Sequence, residues 1–291
     1  AKELFAASDD ERASGELAKL ATRQKDQLIS ACLITKNNQR TLAECLASLY
    51  RYNFEIVIAD TGSTDKTVEI ARQFTDKVYH FDWVNDFAAA RNFAASKASF
   101  DYILTLDSDE RLVGGSKEEL QDFFINTDTK KTVGLYKVVN ILSSGKKQNQ
   151  VINNVIRVYD RRYCKYYYRI HEQVGLIADE SALLDTKVLK FRTIHYGYQD
   201  EKLLQKKSQR NVELLLAQLA VTPDHVYFIY QLAKSYYILK NYQQSFEYFA
   251  KFFLMQKNYR LQWVRDGIDA YLKLCIKTKR YDKALECVNL C

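Results

Sequence analysis

The chain has 291 residues, of which 47% are hydrophobic and 27% are charged, a composition typical of a soluble globular protein with a large core. It contains one proline, and no apolar run approaches the roughly 20 residues that a membrane-spanning helix needs. Six cysteines occur without a C-x-x-C pair, which excludes a disulfide framework and a cysteine zinc site. A reducing, cytoplasmic location is therefore expected.

Positive charge is concentrated toward the end of the chain. The formal net charge is +7, and the whole excess lies in residues 201–291, because residues 1–200 are neutral overall. This shift predicts a domain boundary near residue 200. A basic second domain could attract an acidic peptide, nucleic acid or anionic lipid, but a solvated helical surface explains the charge equally well.

Strands and helices alternate over the first 110 residues. Residues 2–27 are rich in helix-forming residues and predict a surface helix or arm. Buried strands are then predicted at 28–35, 54–59, 77–81 and 102–106, with helices at 41–50, 68–74 and 86–98. This alternation predicts a parallel α/β sheet, in which right-handed crossovers bring the carboxyl ends of the strands to one edge.

Polar residues follow three of these strands. Thr35 and Asp60 close two of them, and Asp107 and Asp109 stand one residue apart after a third. Two carboxylates cannot be buried there without partners, because an ionised group is costly to desolvate. Carboxylates at a strand end of an α/β sheet suit Mg²⁺ or Mn²⁺, which also take phosphate oxygens and water. A surface turn is the alternative, since Asp and Ser are common in turns.

The middle of the chain predicts a second group of strands. Residues 133–141 and 151–159 alternate apolar and polar side chains around Ser143-Ser-Gly-Lys-Lys147, which predicts a hairpin. The cluster from Tyr166 to Tyr168 is expected in a sheet core rather than as an acceptor platform. A further strand-like run, residues 187–194, ends at His195.

From about residue 200 the sequence predicts only helices. Large, small and aromatic residues follow the spacing of tetratricopeptide repeats, and the turn at Asn241-Tyr242 recurs 39 residues later at Arg280-Tyr281. The grooves of such repeats usually bind peptide segments. The predicted organisation is therefore an N-terminal helical arm at 1–27, an α/β domain at 28–199 and an all-α helical domain at 200–291.

Six segments carry a family resemblance. They are Ile34-Thr-Lys-Asn-Asn38, Ala59-Asp-Thr-Gly-Ser-Thr-Asp-Lys-Thr67, Asn85-Asp-Phe-Ala-Ala-Ala-Arg-Asn92, Leu106-Asp-Ser-Asp-Glu110, Arg169-Ile-His-Glu172 and His195-Tyr-Gly-Tyr198. In this order they resemble the family 2 glycosyltransferases of the GT-A fold. They are most similar to the branch fused to tetratricopeptide helices, which includes the enzymes that glycosylate bacteriocin peptides, the glycocins. The resemblance implies a Rossmann-like mixed sheet as catalytic domain, followed by tetratricopeptide-like helices.

The resemblance also implies roles for individual residues. Donor binding is expected at Thr35, Asp60, Arg91, Asp107 and Ser108, with Asp60 and Arg91 at the uracil edge. The cofactor, Mn²⁺ or Mg²⁺, is expected on Asp109, Asp107 and His195. The expected catalytic residues are Asp109, His171 and Glu172, with Glu172 as the general base and Glu110 as the second candidate.

Each role has a structural alternative. Asp60 could cap the turn that follows it, and Arg91 and Asn92 could form an exposed helix face. His171 and His195 could be structural histidines with their hydrogen bonds satisfied inside the fold.

The predicted function is an inverting, metal-dependent transfer of a hexose, expected to be glucose, from a UDP-sugar to Cys, Ser or Thr of a bacteriocin-like peptide. The helical domain is expected to bind part of that peptide. One alternative is the same transfer onto a saccharide in cell-surface polysaccharide synthesis, and another is a non-catalytic helical-repeat binding module. No nucleic-acid partner or membrane span is expected, and a homodimer is one expected state because repeat helices often dimerise.

Overall fold

The computed structural model describes residues 28–144, 147–198, 201–256 and 258–290. The predicted N-terminal arm, residues 1–27, lies outside the described residues. Within the described ranges, every helix is too short or too polar to cross a lipid bilayer. Five of the six cysteines fall in these ranges, and all five are buried.

The first part of the chain is a parallel α/β unit, which confirms the prediction from alternating elements. Its elements are β1 (Ile29–Thr35), α1 (Leu42–Tyr50), β2 (Glu55–Asp60), α2 (Thr67–Arg72), β3 (Val78–His80), α3 (Phe87–Ser96) and β4 (Tyr102–Asp107). The four strands lie in the order β3-β2-β1-β4, and each neighbouring pair is parallel. The switch in strand order between β1 and β4 creates the crevice where α/β sheets usually bind ligands.

The local sequence explains why these elements form and pack. β2 is buried along its whole length, as expected for a parallel strand covered by helices on both faces. Asp86 caps the start of α3, because its side chain accepts a hydrogen bond from the backbone N–H of Ala89. The buried residues of α3 include four alanines, and such small side chains let a helix lie close to the sheet.

The middle of the chain completes a mixed sheet. Its elements are β5 (Glu110–Gly114), α4 (Lys117–Asn126), β6 (Thr132–Ser144), β7 (Lys147–Asp160), β8 (Cys164–Tyr167), β9 (Gln173–Leu176) and β10 (Asp185–Tyr198). The main sheet has eight strands in the order β3-β2-β1-β4-β7-β6-β10-β5, and β8 and β9 form a separate pair. β6 and β7 are antiparallel, which confirms the predicted hairpin. The elements β5, α4 and β9 were not predicted from the sequence.

β10 carries the chain back to the carboxylates that follow β4. It pairs in parallel with β6 and antiparallel with β5, so that His195 lies opposite both Asn140 and Glu110. His195, which is far from β4 in sequence, is thereby placed beside the turn at residues 108 and 109.

The chain separates into two compact units. The first contains the described residues up to Tyr167 together with Glu172–Tyr198, and the second contains Tyr168–His171 and the C-terminal helices. These helices are α5 (Glu201–Val221), α6 (Val226–Ile238), α7 (Tyr242–Met255), α8 (Gln262–Lys277) and α9 (Tyr281–Leu290).

The two predicted repeat turns have the same backbone structure. Lys240 and Lys279 adopt left-handed conformations, with φ of 61° and 58°. After each of them, the next backbone N–H bonds to a carbonyl five residues earlier: Asn241 to Tyr236 and Arg280 to Cys275, both at 2.9 Å. This is the hydrogen bond of a Schellman helix end. The pairs α6–α7 and α8–α9 therefore repeat one helix–turn–helix unit.

Candidate active site

Three strand ends meet at one edge of the sheet, as the sequence predicts. Thr35 of β1 is opposite Asp60 of β2, and Ile34 is opposite Asp107 of β4. The edge therefore gathers a hydroxyl and two carboxylates from segments far apart in the chain.

The loops beyond these strands are tied together by asparagines. Asn37 adopts φ of 50°, a conformation that Asn tolerates better than most residues, and its side-chain oxygen accepts a hydrogen bond from the backbone of Thr64 at 2.7 Å. Asn38 donates from Nδ2 to Ser108 Oγ at 2.9 Å. The loops after β1, β2 and β4 are thus held as one surface.

Asp60 and Thr35 lie buried at this edge. The Asp60 carboxylate accepts hydrogen bonds from the backbone N–H groups of Gly62 and Ser63, so it caps the turn after β2. The Thr35 hydroxyl is buried and has no hydrogen-bond partner among the described residues. An unpaired buried hydroxyl at a strand end marks a place where a ligand could supply the missing bond.

Arg91 is the central cation of the edge. From α3 it donates Nε to Glu172 Oε1 and Nη2 to Asp107 Oδ1, each at 2.6 Å. Its side chain is 8% exposed and its guanidinium lies over the ring of Tyr166, at 5.4 Å from the centroid. The alternative of an exposed helix face is therefore wrong for Arg91.

Asn92 fixes the strand β8 instead of facing solvent. Its side chain donates to the carbonyl of Tyr166 at 2.8 Å and accepts from the N–H of the same residue at 2.9 Å. Tyr166 itself is 4% exposed, and its hydroxyl is 2.7 Å from that of Thr105. The expected place of Tyr166 in the core is confirmed.

A second buried arginine escaped the sequence analysis. Arg157 of β7 donates Nη2 to Asp107 Oδ2 at 2.7 Å and to Glu110 Oε1 at 3.1 Å, and its side chain is 8% exposed. The available signal was a cation at an inward position of an alternating strand, because a buried arginine requires carboxylate partners.

These groups form a line of alternating charge: Glu172, Arg91, Asp107, Arg157 and Glu110. Burial opposes ionisation of Asp107, but the positive charges of Arg157 and Arg91 hold its pKa well below the usual range. Burial, aided by the charges of Asp107 and Asp109, raises the pKa of Glu110 to about 7 despite Arg157. Glu110 is 3% exposed, which disfavours it as the base for an incoming acceptor.

Asp109 and His195 lie together at the rim of this line. Asp109 Oδ2 is 3.3 Å from His195 Nε2, and the two side chains are 42% and 26% exposed. His195 Nδ1 is 3.0 Å from Asn140 Oδ1. In the tautomer that donates the Nδ1 proton to Asn140, the Nε2 lone pair is available to a cation beside Asp109. Metal-binding histidines commonly have this arrangement, with the second nitrogen held by an oxygen.

Of the two expected cations, Mn²⁺ fits the donor set of Asp109 and His195 better than Mg²⁺, because Mg²⁺ prefers oxygen ligands to imidazole. Among the described residues, no group of three or more His, Cys, Asp and Glu side chains could hold a metal ion. A cation at this rim would take its remaining ligands from water and from a bound diphosphate, which is the usual mode of Mg²⁺ in phosphate chemistry. Asp107, already bonded to two arginines, is less available as a direct ligand.

His171 belongs to the second compact unit, where its ring lies 5.9 Å from that of Tyr227 in an edge-on arrangement. His171 and Tyr168 have φ of 53° and 72°, so the segment between them turns sharply. Glu172, the next residue, joins the line of charges in the first unit.

Comparison with known proteins matches the first unit to a family and extends, for some relatives, into the helices that follow. Residues 30–188 match the family model described as glycosyl transferase family 2. A TPR repeat-containing protein of Synechococcus elongatus is 29% identical over 209 residues, which cover 70% of this chain and 51% of the relative. The prophage-derived glycosyltransferase SunS of Bacillus subtilis is 23% identical over 255 residues, covering 85% of this chain and 58% of SunS. The chain thus spans little more than half the length of these relatives.

Several solved structures resemble this chain, and one of them illustrates the likeness. The structure of S. aureus TarS 1–349 in complex with UDP-GlcNAc is 16% identical, with a TM-score of 0.45, and the match covers 88% of this chain and 89% of that one.

Proposed function

The chain belongs to glycosyl transferase family 2, and we propose that it moves a hexose, expected to be glucose, from a UDP-sugar to a Cys, Ser or Thr side chain of a peptide. The observation that supports this most is the grouping of Asp109, His195, Asp107 and Glu172 at one sheet edge. Asp109 and His195 would form a cation site, and Asp107 is a carboxylate held by Arg91. Glu172, which is bonded to the same arginine, is the candidate base.

The donor would be held by the strand ends and their loops. The hydroxyl of Thr35 and the region of Asp60 are proposed to contact the nucleoside, and Asp107 is proposed to contact the ribose. Because two arginines fix Asp107, its carboxylate is preorganised and loses little entropy when the donor binds. Asp109 and His195 would hold Mn²⁺ or Mg²⁺, which, when bound, stabilises the negative charge on the diphosphate leaving group.

Glu172 is proposed as the general base. The acceptor O–H or S–H proton passes to the Glu172 carboxylate while the acceptor atom attacks the anomeric carbon from the face opposite UDP. The bond between that carbon and the diphosphate oxygen breaks, and UDP leaves with the electron pair, so the configuration inverts. Arg91 orients Glu172 through the 2.6 Å hydrogen bond to Oε1, and Oε2 is not used in that bond.

A peptide acceptor is supported by the repeated helix–turn–helix units, which resemble modules that bind peptide segments. Transfer to a saccharide is the second candidate within the enzyme class. The intact line of charges argues against a non-catalytic binding module, since a degenerate site need not keep five ionisable groups in register.

The proposal is tested with a panel of UDP-sugars and Mn²⁺, scored for released UDP. Hydrolysis of one UDP-sugar in the absence of any acceptor identifies the donor. UDP binding that is equally strong with and without Mn²⁺, together with no UDP release from any sugar, would contradict the enzyme function and favour the binding module.

His195→Ala is expected to weaken UDP binding in the presence of Mn²⁺ by at least about tenfold and to change metal-free UDP binding little. The physical reason is that Nε2 is a proposed ligand of the cation, whereas the nucleoside is held by other residues. Calorimetric titration with and without Mn²⁺ measures both values. Asn140→Ala should give the same pattern with a smaller loss, and equal losses in both titrations would make His195 structural.

Glu172→Gln is expected to lower kcat for transfer by about 10²–10⁴-fold, the usual contribution of a general base, with little change in KM for the donor. Glutamine can still accept the hydrogen bond from Arg91, so the variant removes basicity and keeps the contact. Glu180→Gln, at an exposed position, is the matched control. Unchanged turnover in Glu172→Gln would assign the proton to another group.

A further inference from the structure

β7 is paired on both sides over only part of its length. β6 pairs with it from residue 147 to residue 158, whereas β4 pairs with it only at residues 158–160. The next contact on the β4 side joins Thr105 Oγ1 to the carbonyl oxygen of Arg157 at 3.3 Å. β4 then ends at Asp107, and no described strand pairs with residues 151–156 on that side.

Of the features that usually protect a free edge, this one has only a shift of register at its end, where Arg157 is skipped in the pairing of β7 with β6. Residues 148–156, with the sequence QNQVINNVI, contain no charged residue, no proline and no glycine. Val151 and Ile152 are 44% and 55% exposed, and Asn153 and Asn154 are exposed as well. Natural sheets guard free edges with charges, prolines or bulges, because unpaired N–H and C=O groups attract other strands. An uncharged, exposed edge is therefore suited to receive a strand.

The free edge borders the proposed active site at both ends. Val151 lies opposite Asn140 in β6, and Asn140 lies opposite His195 in β10 and contacts its ring. At the other end, Arg157 donates a hydrogen bond to Asp107. Because Leu104 of β4 pairs with Val158 and β4 ends at Asp107, residues 151–154 of β7 extend beyond the end of β4. A strand added there would lie next to the turn that carries Asp109.

We propose that the acceptor is an extended polypeptide segment that pairs through its main chain with residues 151–156 of β7. The inference rests on the proposed function, since it takes the acceptor to be a peptide. Hydrogen bonds from the acceptor main chain supply affinity, and the side chain to be glycosylated lies toward the donor at the end of the paired segment. A saccharide has no repeating amides and cannot pair in this way.

The position of the edge favours a substrate over a second copy of the chain. A second folded copy pairing there would cover the carboxylates that the donor must reach, whereas an extended peptide adds one strand about 5 Å from β7 and leaves the site accessible.

Hydrogen exchange tests the pairing directly, because it reports on backbone hydrogen bonds. The probe is a degenerate pool of thirteen-residue synthetic peptides with a central Cys, Ser or Thr, added to the full chain with UDP and Mn²⁺. The expected result is slower exchange at those amides of residues 151–156 that point away from β6, since the others are already paired with β6. The same pool lacking Cys, Ser and Thr measures how far pairing depends on the acceptor residue.

Two variants link the edge to transfer. Ile152→Lys combined with Asn154→Lys places charges on one face of the free edge, and Ile125→Lys places a charge on α4 at a residue that is 74% exposed. The double variant is expected to lower the ratio of peptide glycosylation to UDP release by about tenfold, the equivalent of one or two lost hydrogen bonds. Ile125→Lys is expected to leave that ratio unchanged.

The outcomes distinguish failure of the proposed strand pairing from failure of the proposed function on which it rests. Unchanged exchange at residues 151–156 with the peptide pool, or an unchanged ratio in the double variant, overturns the pairing. Protection without peptide that increases with protein concentration assigns the edge to a second copy, and protection without peptide at every concentration assigns it to another segment of the chain. Both overturn the proposal. Absence of UDP release in the unaltered protein contradicts the proposed function instead, and the exchange measurement still decides the edge.

Discussion

Asp109→Ala is expected to lower transfer by about 10³-fold or more while leaving the fold intact. Asp109 is the proposed direct ligand of the cation, and loss of leaving-group stabilisation costs several kcal/mol in the transition state. The residue lies in the turn between β4 and β5 with 42% of its side chain exposed, so its removal opens no cavity. The measurement is the rate of UDP release and of transfer at saturating UDP-sugar and Mn²⁺.

The control for Asp109 is Asp76→Ala, which removes an exposed carboxylate elsewhere on the first unit. Thermal unfolding of both variants should match that of the unaltered protein, because surface substitutions usually change the unfolding free energy by less than about 0.5 kcal/mol. Near-normal turnover in Asp109→Ala would show that the cation does not depend on this residue. A large fall in thermal stability would show that Asp109 serves the fold.

The parallel half of the sheet could be predicted from the sequence because its signals are local. Apolar runs such as that of β2 mark strands buried on both faces, and the right-handed crossover rule then brings Thr35, Asp60 and Asp107 to one edge. The mixed half could not be predicted in this way. β5 begins three residues after β4 ends, and its partner is β10, about 80 residues later in the chain. Periodicity carries no information about such pairing.

The candidate site also contains residues that the sequence could place and residues that it could not. The proximity of His195 to Asp109 was expected from the family resemblance alone, and the register of β10 against β5 and β6 supplies its physical basis. Arg157 was missed because a strand pattern shows that a position is buried without showing which charge lies opposite. Arg91 has its Nε and Nη2 bonded to carboxylates, so its predicted contact with uracil, which stays a prediction, would use the remaining Nη1.

Arg157→Met is expected to destabilise the first unit by about 3–5 kcal/mol, the usual effect of removing one partner from a buried ion pair. The variant leaves the carboxyl groups of Asp107 and Glu110 close together without the cation that joins them. Arg192→Met, which removes an exposed arginine from β10, is the matched control and should change stability by less than about 0.5 kcal/mol. Urea denaturation measures both.

The dependence of this loss on pH distinguishes a charge effect from a packing effect. The pKa of Glu110 is raised to about 7 in the folded protein. Protonated Glu110 therefore contributes fully to the free energy of unfolding when the pH is below the pKa of Glu110 in the unfolded chain, and this contribution is lost as the pH rises through about 7. Removing Arg157 removes an interaction that lowers this pKa, which moves the loss to higher pH and enlarges it. Arg157→Met should therefore be more destabilised at pH 8 than at pH 5.

Adding Glu110→Gln, which cannot ionise, should recover part of the stability at pH 8 and reduce the difference in stability between the two pH values. An equal loss at both pH values, with no recovery in the double variant, would mean that Arg157 stabilises the sheet through packing of its side chain and not through its charge.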